Sequence, residues 1–368
     1  MSYSTTNLEG LPDGLALVYS AYRAFVKEAI ATHYGESLTR EREDSATGIP
    51  SVFDHDLPAL HAMVFEPTRQ YLARGGKMLR PMLVAMSLAA YGKDPLEYGA
   101  FLAAIEAMED SSIIMDDYID NSERRRGGPC AHVLHGFPLA NISSCTMFAQ
   151  AHAVFYNNEL GLPEETLGRL LDAVTEEWLQ MAYGQLEEFY WTEDNINNVT
   201  IDQYFQETIA RCAFLTFRGP LKYAAIIGGA PAEDLPILAR IGEYLLIGYH
   251  IRGDNLDLKP DSKAWGKVAG EDITIGRRTL LINETLRQAT PEDRAVIEEI
   301  INERTDDEDK KQTVYRMIMK YGILQQAEAL AELFNEKTKA EIARLSLPED
   351  SRRMLQEFSD YCMMTRKI

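Results

Sequence analysis

The sequence predicts an all-α fold in a single domain, and three observations lead there. Helical periodicity dominates the chain from Leu57 onward. β-branched residues seldom alternate with polar ones, so no sheet is expected. Glycine and proline fall between the helical stretches, as at Gly127-Gly128-Pro129 and Gly219-Pro220. We therefore expect one bundle of roughly a dozen helices.

The length and composition allow a large core. The chain has 368 residues, of which 46% are hydrophobic. Residues 1–55 are polar and mixed, and we predict that they form an N-terminal extension with one helix near Gly14–Tyr34. Residues 56–368 are predicted to form the main domain, since all-helical proteins of this size need not divide.

The charge balance excludes some partners. The 37 basic residues against 57 acidic ones give a net charge of −20. Nucleic acids and anionic lipid surfaces are bound through clustered basic residues, so neither is an expected partner. If the chain binds a phosphorylated ligand, its basic residues must be concentrated locally.

Cysteine usage and hydropathy indicate a reducing compartment. The four cysteines, Cys130, Cys145, Cys212 and Cys362, are far apart and form no C-x-x-C pair, so neither a zinc site nor a disulfide framework is expected. The start of the chain lacks the basic and apolar regions of a signal peptide. No apolar run approaches the ~20 residues of a transmembrane helix. We therefore expect a cytoplasmic protein.

The predicted helix at Phe101–Asp120 is the most informative. Its apolar and small residues recur at steps of four and three along one face, which comprises Phe101, Ile105, Met108, Ser112, Met115 and Ile119. Asp116 and Asp120 are one turn apart on this helix, with Asp117 beside them.

Three carboxylates at one helix end admit two interpretations. Taken alone, D-D-x-x-D is most simply a solvated acidic face. Mg²⁺ changes that balance, because it is held by few carboxylates together with substrate phosphates. The basic run Arg124-Arg125-Arg126 follows directly. An acidic cluster beside a basic loop suits a metal–diphosphate complex.

Two further segments carry charged residues that could bind a metal or an anion. Gly75-Gly76 permits close backbone approach, and Lys77 and Arg80 could then converge on an anion. A surface turn with two cations would explain that segment equally well. Later in the chain, Asp254 and Asp257 share a helix face and are followed by Lys267.

Taken together, these segments resemble the trans-type isoprenyl diphosphate synthases, which include farnesyl and geranylgeranyl diphosphate synthases. The order is G-G-K-x-x-R-P, D-D-x-x-D with N-S-E-x-R-R-G-x-P, Gly184-Gln185, and a degenerate second aspartate motif with its basic residues. The resemblance implies the isoprenoid synthase fold, a helical bundle around a central active-site cavity, over residues 56–368. It also implies three Mg²⁺ ions on an allylic prenyl diphosphate, attack by isopentenyl diphosphate, and a homodimer.

The resemblance also assigns roles to individual residues. The implied metal ligands are Asp116, Asp117, Asp120, Asp254 and Asp257. The implied contacts of the allylic diphosphate are Arg125 and Lys267, and Arg211 is implied as a catalytic residue that keeps the cation of a family lysine. The implied contacts of isopentenyl diphosphate are Lys77, Arg80 and Arg126. Gln185 would line the reaction centre, and Tyr249 and His250 would lie near the substrate.

Four positions depart from the family pattern. Gly253 replaces the leading aspartate of the second motif, Tyr249-His250 replaces Phe-Gln, and Arg211-Cys212 replaces Lys-Thr. The fourth, Glu109, stands where the family has a histidine that contacts isopentenyl diphosphate. Two unit charges ~4 Å apart at an effective dielectric of ~20 repel by roughly 4 kcal/mol. Glu109 could avoid this by protonation, by pairing with Lys77 or Arg80, or by turning away.

The residues before the first aspartate motif predict the length of the hydrocarbon tail. In short-product members of the family, a bulky residue here blocks the growing chain, whereas Ser111 and Ser112 leave the way open. The next side chain along that face is Met108, about 12 Å before Asp116. We therefore expect a tail longer than about ten carbons, of roughly 15 or 20.

Three functions fit these observations. The first is a prenyltransferase that condenses an allylic diphosphate with isopentenyl diphosphate, which Lys77, Arg80 and Arg126 support. The second is a terpene cyclase or atypical coupling enzyme on the same fold, which Glu109 and Gly253 support. The third is a regulatory subunit without activity, and the intact first aspartate motif argues against it.

Overall fold

Helices make up nearly all regular structure in the computed structural model. The structure describes residues 11–35, 52–257 and 270–365, except for the side chains of Val64, residues 213–215 and Asp257. None of the helices described is both long enough and apolar enough to cross a membrane.

The elements follow in chain order. The first are α1 (Asp13–His33), α2 (Leu57–Leu60), a π-turn (His61–Phe65), α3 (Glu66–Ala73), α4 (Leu79–Ala90), a 3₁₀ turn (Pro95–Tyr98), α5 (Gly99–Ile119), β1 (Arg124–Arg125), β2 (Gly128–Pro129), α6 (Ala131–His135), α7 (Phe137–Tyr156) and α8 (Glu164–Glu193). The remainder are α9 (Ile201–Thr216), α10 (Arg218–Gly228), α11 (Asp234–Asp257), α12 (Glu271–Thr274), α13 (Leu280–Gln288), α14 (Pro291–Glu303), α15 (Glu308–Lys320), α16 (Ile323–Ile342), α17 (Glu349–Asp360) and a π-turn (Tyr361–Thr365). The predicted N-terminal helix is observed as α1, while the division at residue 55 stays a prediction.

The described chain folds into two compact units. The first contains residues 17–35, 52–171 and 224–229. The second contains residues 11–16, 172–223, 230–257 and 270–365.

Helix α5 is the core of the first unit. Every residue from Phe101 to Ser111 is buried, including three carboxylates. The helix packs along α7, where the rings of Phe101 and Phe155 meet edge to face at 5.7 Å. A helix buried on all sides is normally apolar all round, so its buried acids need partners.

Helix α11 is the corresponding core of the second unit. It packs along α16, where Tyr244 contacts Phe334 at a ring distance of 5.7 Å. Phe205 on α9 meets the same phenyl ring edge to face at 5.5 Å. The N-terminus of α9 is fixed by a capping box between Thr200 and Gln203.

A short hairpin is the one departure from the expected absence of sheet among the described residues. Arg124 pairs with Pro129 and Arg125 with Gly128. The two residues between them, Arg126 and Gly127, have φ angles of 50° and 75°. Left-handed conformations at both central residues are typical of a two-residue turn whose twist matches that of paired strands. The glycine was visible in the sequence, but the left-handed arginine before it was not foreseen.

Candidate active site

The first aspartate motif lies at the C-terminal end of α5, where the hairpin packs against it. Asp117 is fully buried, and the Arg125 guanidinium donates to its Oδ1 from Nε at 2.6 Å. Arg125 Nη2 lies 2.5 Å from the same oxygen and 3.9 Å from Asp116 Oδ2. The Tyr71 hydroxyl donates to Asp117 Oδ2 at 3.4 Å. The hairpin thus places a guanidinium between two motif carboxylates.

Burial and neighbouring charge act in opposite directions on this pair. Burial raises the pKa of Asp117, and Arg125 only partly offsets that rise. Burial alone would lower the pKa of Arg125. The negative charges of Asp117 and Asp116 outweigh the effect of burial, so the pKa lies above its ordinary value. Arg125 therefore stays charged and available to an anion.

Asp116 and Asp120 suit a metal ion that is shared with substrate. Both are half-buried and lie one turn apart, Asp120 capping the helix end. In the described part of the chain, no three acidic, histidine or cysteine side chains form a complete ligand set. Two carboxylates one turn apart are the kind of oxygen donors that Mg²⁺ takes, together with substrate phosphates and several waters.

The predicted acceptor arginines are paired with buried carboxylates. Arg80 Nη2 lies 2.6 Å from Glu109 Oε1. Arg126 contacts both oxygens of Asp110, with Nη2 at 2.5 Å from Oδ1 and Nη1 at 3.0 Å from Oδ2. The pairing of Glu109 with Arg80 was one of the three arrangements anticipated above. Burial raises the pKa of Glu109, and Arg80 counteracts the rise.

The glycine-rich segment lies beside the same arginines. Lys77 is half-buried in the loop before α4. Arg23 Nη2 donates to the Gly76 carbonyl at 2.9 Å. A Cβ at position 76 would lie 3.2 Å from Arg126 Cζ, so the backbone closely approaches that guanidinium. The structure therefore gathers Lys77, Arg80 and Arg126 around this loop.

The residues predicted to set chain length lie along α5 at different depths. Met108 and Ser111 are buried, and Ser112 is half-exposed. The Ser111 hydroxyl donates to Met108 O, and Ser112 to Glu109 O. Ser144 on α7 donates to the Ser111 carbonyl, which places α7 against that side of the helix. Of the two serines, Ser112 belongs to the more open face.

A second charged cluster lies within the second unit. Arg211 Nε is 2.6 Å from Glu207 Oε1 and 3.2 Å from Glu188 Oε2. Arg277 Nε is 2.8 Å from the other oxygen of Glu188. These side chains line a pocket together with Trp191, Tyr204, His250, Asp254, Arg278 and Thr279. Arg211 and His250, both predicted site residues, are thus brought together.

The second aspartate motif contributes Asp254 to this pocket. The Tyr204 hydroxyl donates to Asp254 Oδ2 at 3.4 Å. Tyr249 turns toward Phe217, with ring centroids 5.4 Å apart. Asp257 ends α11, but its side chain lies outside the described residues, as does all of Lys267.

Gly184 explains why α8 and α9 approach closely enough to form the cluster. A Cβ at this position would lie 2.4 Å from the Arg211 backbone nitrogen. The adjacent Gln185 is half-buried, and its Nε2 is enclosed without a hydrogen-bond partner in the described structure. Such an amide can donate to a bound group.

Sequence reasoning missed several charged residues of these clusters. Asp110 and Glu106 hold Arg126, and Glu188 and Glu207 hold Arg211. The signal available for Asp110 was a group of three acids, with Glu106 and Glu109, within a helix stretch that is otherwise mostly apolar. Glu207 and Arg211 are four residues apart on α9, a spacing that could have indicated their pairing. Glu188 lies on α8, so no local pattern joins it to Arg211.

Comparison of the sequence with known proteins places the chain in one family. The polyprenyl synthetase family model matches residues 61–318. A short chain isoprenyl diphosphate synthase of Methanothermobacter thermautotrophicus is 29% identical over 79% of this chain and 87% of its own length. A geranylgeranyl diphosphate synthase of Sulfolobus acidocaldarius is 27% identical over 84% of this chain and 93% of its own.

Solved structures agree on the fold. A geranylgeranyl pyrophosphate synthetase from Pyrococcus horikoshii superposes with a TM-score of 0.78 at 24% identity, covering 95% of this chain and 98% of its own. A polyprenyl synthase from Caulobacter crescentus, complexed with calcium and isoprenyl diphosphate, gives 0.79 at 22% identity, covering 98% and 100%. These matches confirm the predicted all-α, single-domain fold class. The chain belongs to the polyprenyl synthetase family and is a prenyltransferase with the isoprenoid synthase fold.

Proposed function

We propose that this protein transfers an allylic prenyl group to isopentenyl diphosphate. The observation that carries the proposal is the Arg125 guanidinium held between the carboxylates of Asp116 and Asp117 at the end of α5. This arrangement offers carboxylate oxygens to a metal and a fixed cation to the same diphosphate. The names of the relatives, which are isoprenyl and geranylgeranyl diphosphate synthases, support the same reaction.

The chain's own residues would divide the two diphosphates between them. Arg125 would hold the allylic diphosphate, and Lys77, Arg80 and Arg126 would hold the acceptor. The bond between the allylic carbon and the diphosphate oxygen breaks, and the acceptor alkene attacks that carbon. Loss of a proton from the acceptor then completes the longer prenyl diphosphate.

Mg²⁺ is the proposed cofactor, and Asp116 and Asp120 are its proposed ligands with Asp117. When bound, Mg²⁺ neutralises the charge that develops on the departing diphosphate. Hard carboxylate oxygens suit it better than they suit a soft metal. Asp254 and Asp257 are the proposed ligands from the second motif, where Gly253 removes one carboxylate that the family supplies.

The second cluster would act on the allylic substrate. Arg211 is held by Glu188 and Glu207, so its guanidinium is fixed rather than mobile. Gln185 carries an enclosed amide nitrogen that could donate to a substrate oxygen. We propose that both contact the allylic group, together with Lys267, and that His250 lines the same site.

The protein is proposed to form a homodimer. Helix α8 exposes an apolar face with helical spacing, formed by Leu179, Tyr183, Leu186 and Tyr190, which are 49%, 65%, 64% and 56% exposed. An apolar stripe of this kind marks an interaction surface. A cytoplasmic location is proposed as well, supported by four cysteines that form no disulfide in the described structure.

Product analysis tests the proposed reaction. Purified protein would be incubated with Mg²⁺ and dimethylallyl, geranyl, farnesyl or geranylgeranyl diphosphate, each with and without isopentenyl diphosphate. We expect a longer prenyl diphosphate only when both substrates are present. A hydrocarbon or alcohol formed from the allylic substrate alone would instead indicate a cyclase and overturn the proposal.

A further inference from the structure

Three buried carboxylates lie on one face of α5, ahead of the aspartate motif. Glu106, Glu109 and Asp110 are 3%, 4% and 0% exposed. Their spacing of three and four residues brings them together on the helix. Buried acids of this kind require counter-charges, and the two arginines proposed to hold the acceptor diphosphate supply them.

Arg126 is bound chiefly to Asp110. It contacts both Asp110 oxygens, at 2.5 and 3.0 Å, and its Nη2 lies 3.7 Å from Glu106 Oε1. Of these contacts with Asp110, Nη1–Oδ2 is a hydrogen bond and Nη2–Oδ1 is a close ion pair. The terminal nitrogens of a guanidinium are the donors that a phosphate would otherwise engage. Asp110 therefore occupies the donors that a diphosphate would need.

The buried acids of the cluster form ion pairs with two guanidiniums. Glu109 pairs with Arg80, and both Asp110 and Glu106 pair with Arg126. Several titratable or charged groups act on Asp110. They are Glu106 and Glu109 of α5, Arg126 of the hairpin, Arg80 of α4, Tyr34 in the loop after α1, and Tyr71 of α3. Arg23 of α1 acts on the neighbouring Glu106.

One of the acids can take up a proton near neutral pH. Burial raises the pKa of Asp110 to about 7, against the opposing effect of Arg126. Burial likewise raises the pKa of Glu106 and Glu109. A protonated Asp110 no longer competes as an anion for Arg126.

We propose that Asp110 is a specificity-determining residue of the acceptor site, whose carboxylate competes with the acceptor diphosphate for Arg126 and is protonated when that diphosphate binds. This inference rests on the proposed function, in which Arg126 holds isopentenyl diphosphate. Asp110 acts through Arg126 and is therefore a positioning residue. The allylic diphosphate is proposed to be held by Arg125, whose ion-pair partner is Asp117 and not Asp110.

The direction of the pH effect follows from the charges. A diphosphate on Arg126 removes the counter-charge of Asp110 and adds a negative neighbour, so the pKa of Asp110 is higher in the complex than in the free protein. Acceptor binding then takes up a proton between those two pKa values. Acceptor affinity falls as pH rises above about 7, by up to about tenfold per pH unit, and is insensitive to this group below it.

The test compares the KM for isopentenyl diphosphate with the KM for the allylic diphosphate between pH 6 and 9. In the wild type, we expect the acceptor KM to rise above pH 7 while the allylic KM changes much less. Asp110→Asn should flatten the acceptor profile and lower its KM at pH 8.5 by about tenfold or more, with little change in kcat. Both substrates carry the same diphosphate group, so titration of the ligand itself affects them alike.

A matched control removes a different buried carboxylate. Glu177→Gln breaks the buried pair with Arg218 in the second unit, where Glu177 Oε2 lies 2.7 Å from Arg218 Nη2. It should lower thermal stability and leave the pH profile of the acceptor KM as in the wild type. If Asp110→Asn incorporates isopentenyl diphosphate but keeps the wild-type slope, the inference is overturned while the proposed function stands.

Calorimetry on the wild type covers the case in which Asp110→Asn does not fold. Isopentenyl diphosphate alone is titrated at pH 8 in buffers of different ionisation enthalpy, and the allylic diphosphate is titrated in parallel. We expect the protein to take up more protons when it binds the acceptor than when it binds the allylic substrate. Equal uptake for both would overturn the inference. If the wild type incorporates no isopentenyl diphosphate at any pH, the proposed function fails and this inference fails with it.

Discussion

The half-buried Arg80 and the buried Glu109 form an ion pair, with Nη2 and Oε1 2.6 Å apart. The pair joins α4 to α5 and engages one of the three cations proposed to hold the acceptor diphosphate. Glu109 is 4% exposed, so its charge cannot be screened by solvent and must be balanced by the protein. An acceptor that approaches Arg80 meets this carboxylate directly.

Replacing Glu109 by histidine should strengthen acceptor binding. Glu109→His removes the repulsion and releases Arg80, and recovering half of a ~4 kcal/mol penalty corresponds to about thirtyfold in affinity. Incorporation of radiolabelled isopentenyl diphosphate at limiting concentration should rise several-fold or more. Glu109→Gln, which keeps the shape without the charge, should rise in the same direction. Efficient wild-type incorporation that neither variant improves would show that Glu109 does not hinder the acceptor.

Removing an aspartate of the first motif should abolish turnover without unfolding the protein. Asp116 is half-buried at a helix end, and in Asp116→Ala the Arg125 guanidinium keeps its closer partner, Asp117. Activity should fall by orders of magnitude, because one oxygen donor to the proposed metal is lost. Asp293→Asn, which changes a surface acid paired with Lys320, serves as the control and should retain activity. Full activity of the wild type in EDTA would contradict the metal assignment.

The sequence was sufficient for the fold class because its signals are local. The periodicity of α5 follows from residues three and four apart, and the helix is observed at Gly99–Ile119 against the predicted Phe101–Asp120. The placement of Asp116 and Asp120 one turn apart follows from the same spacing. Neither conclusion depends on where the rest of the chain lies.

The partners of the arginines could not be predicted because they depend on the hairpin. Arg126 is sixteen residues from Asp110 in sequence, and the turn at Arg126-Gly127 returns its side chain to α5. A non-glycine residue with positive φ is uncommon, so the run of arginines gave no sign of it. For Glu109, by contrast, pairing with Arg80 was among the alternatives that the sequence left open, beside pairing with Lys77, protonation and turning away.

A bulky residue at position 112 should shorten the product. Ser112 is half-exposed on α5, one turn before Asp116, and its side chain contacts only the backbone of its own helix among the hydrogen bonds described. In Ser112→Phe the phenyl ring would fill the space into which a growing chain extends. Product chain length, measured by mass spectrometry after phosphatase treatment, should fall by one or more isoprene units. Ser111→Ala is a control, because Ser111 is buried and faces α7. Identical product profiles for Ser112→Phe and the wild type would count against this explanation of chain-length control.

Two glycines on α8 should respond in opposite ways to the same substitution. A Cβ at Gly184 would lie 2.4 Å from the Arg211 backbone nitrogen and 2.8 Å from its Cα, and neither atom can move without shifting α9. Gly168, on the same helix, is exposed, and a Cβ added there would have no other atom within 4 Å.

Gly184→Ala should therefore lower the free energy of unfolding by about 1–3 kcal/mol, the usual cost of overpacking. Gly168→Ala should raise it by about 0.5–1 kcal/mol, since alanine restricts the unfolded chain and favours helix. Urea denaturation with a common m-value would measure both changes. Binding of the allylic substrate should change in Gly184→Ala but not in Gly168→Ala, because moving α8 away from α9 separates Glu188 from Arg211. Gly184→Ala should thus raise the allylic KM, and Gly168→Ala should leave it unchanged. Equal stability of the two variants would mean that α8 and α9 are less closely packed at Gly184 than the 2.4 Å approach requires.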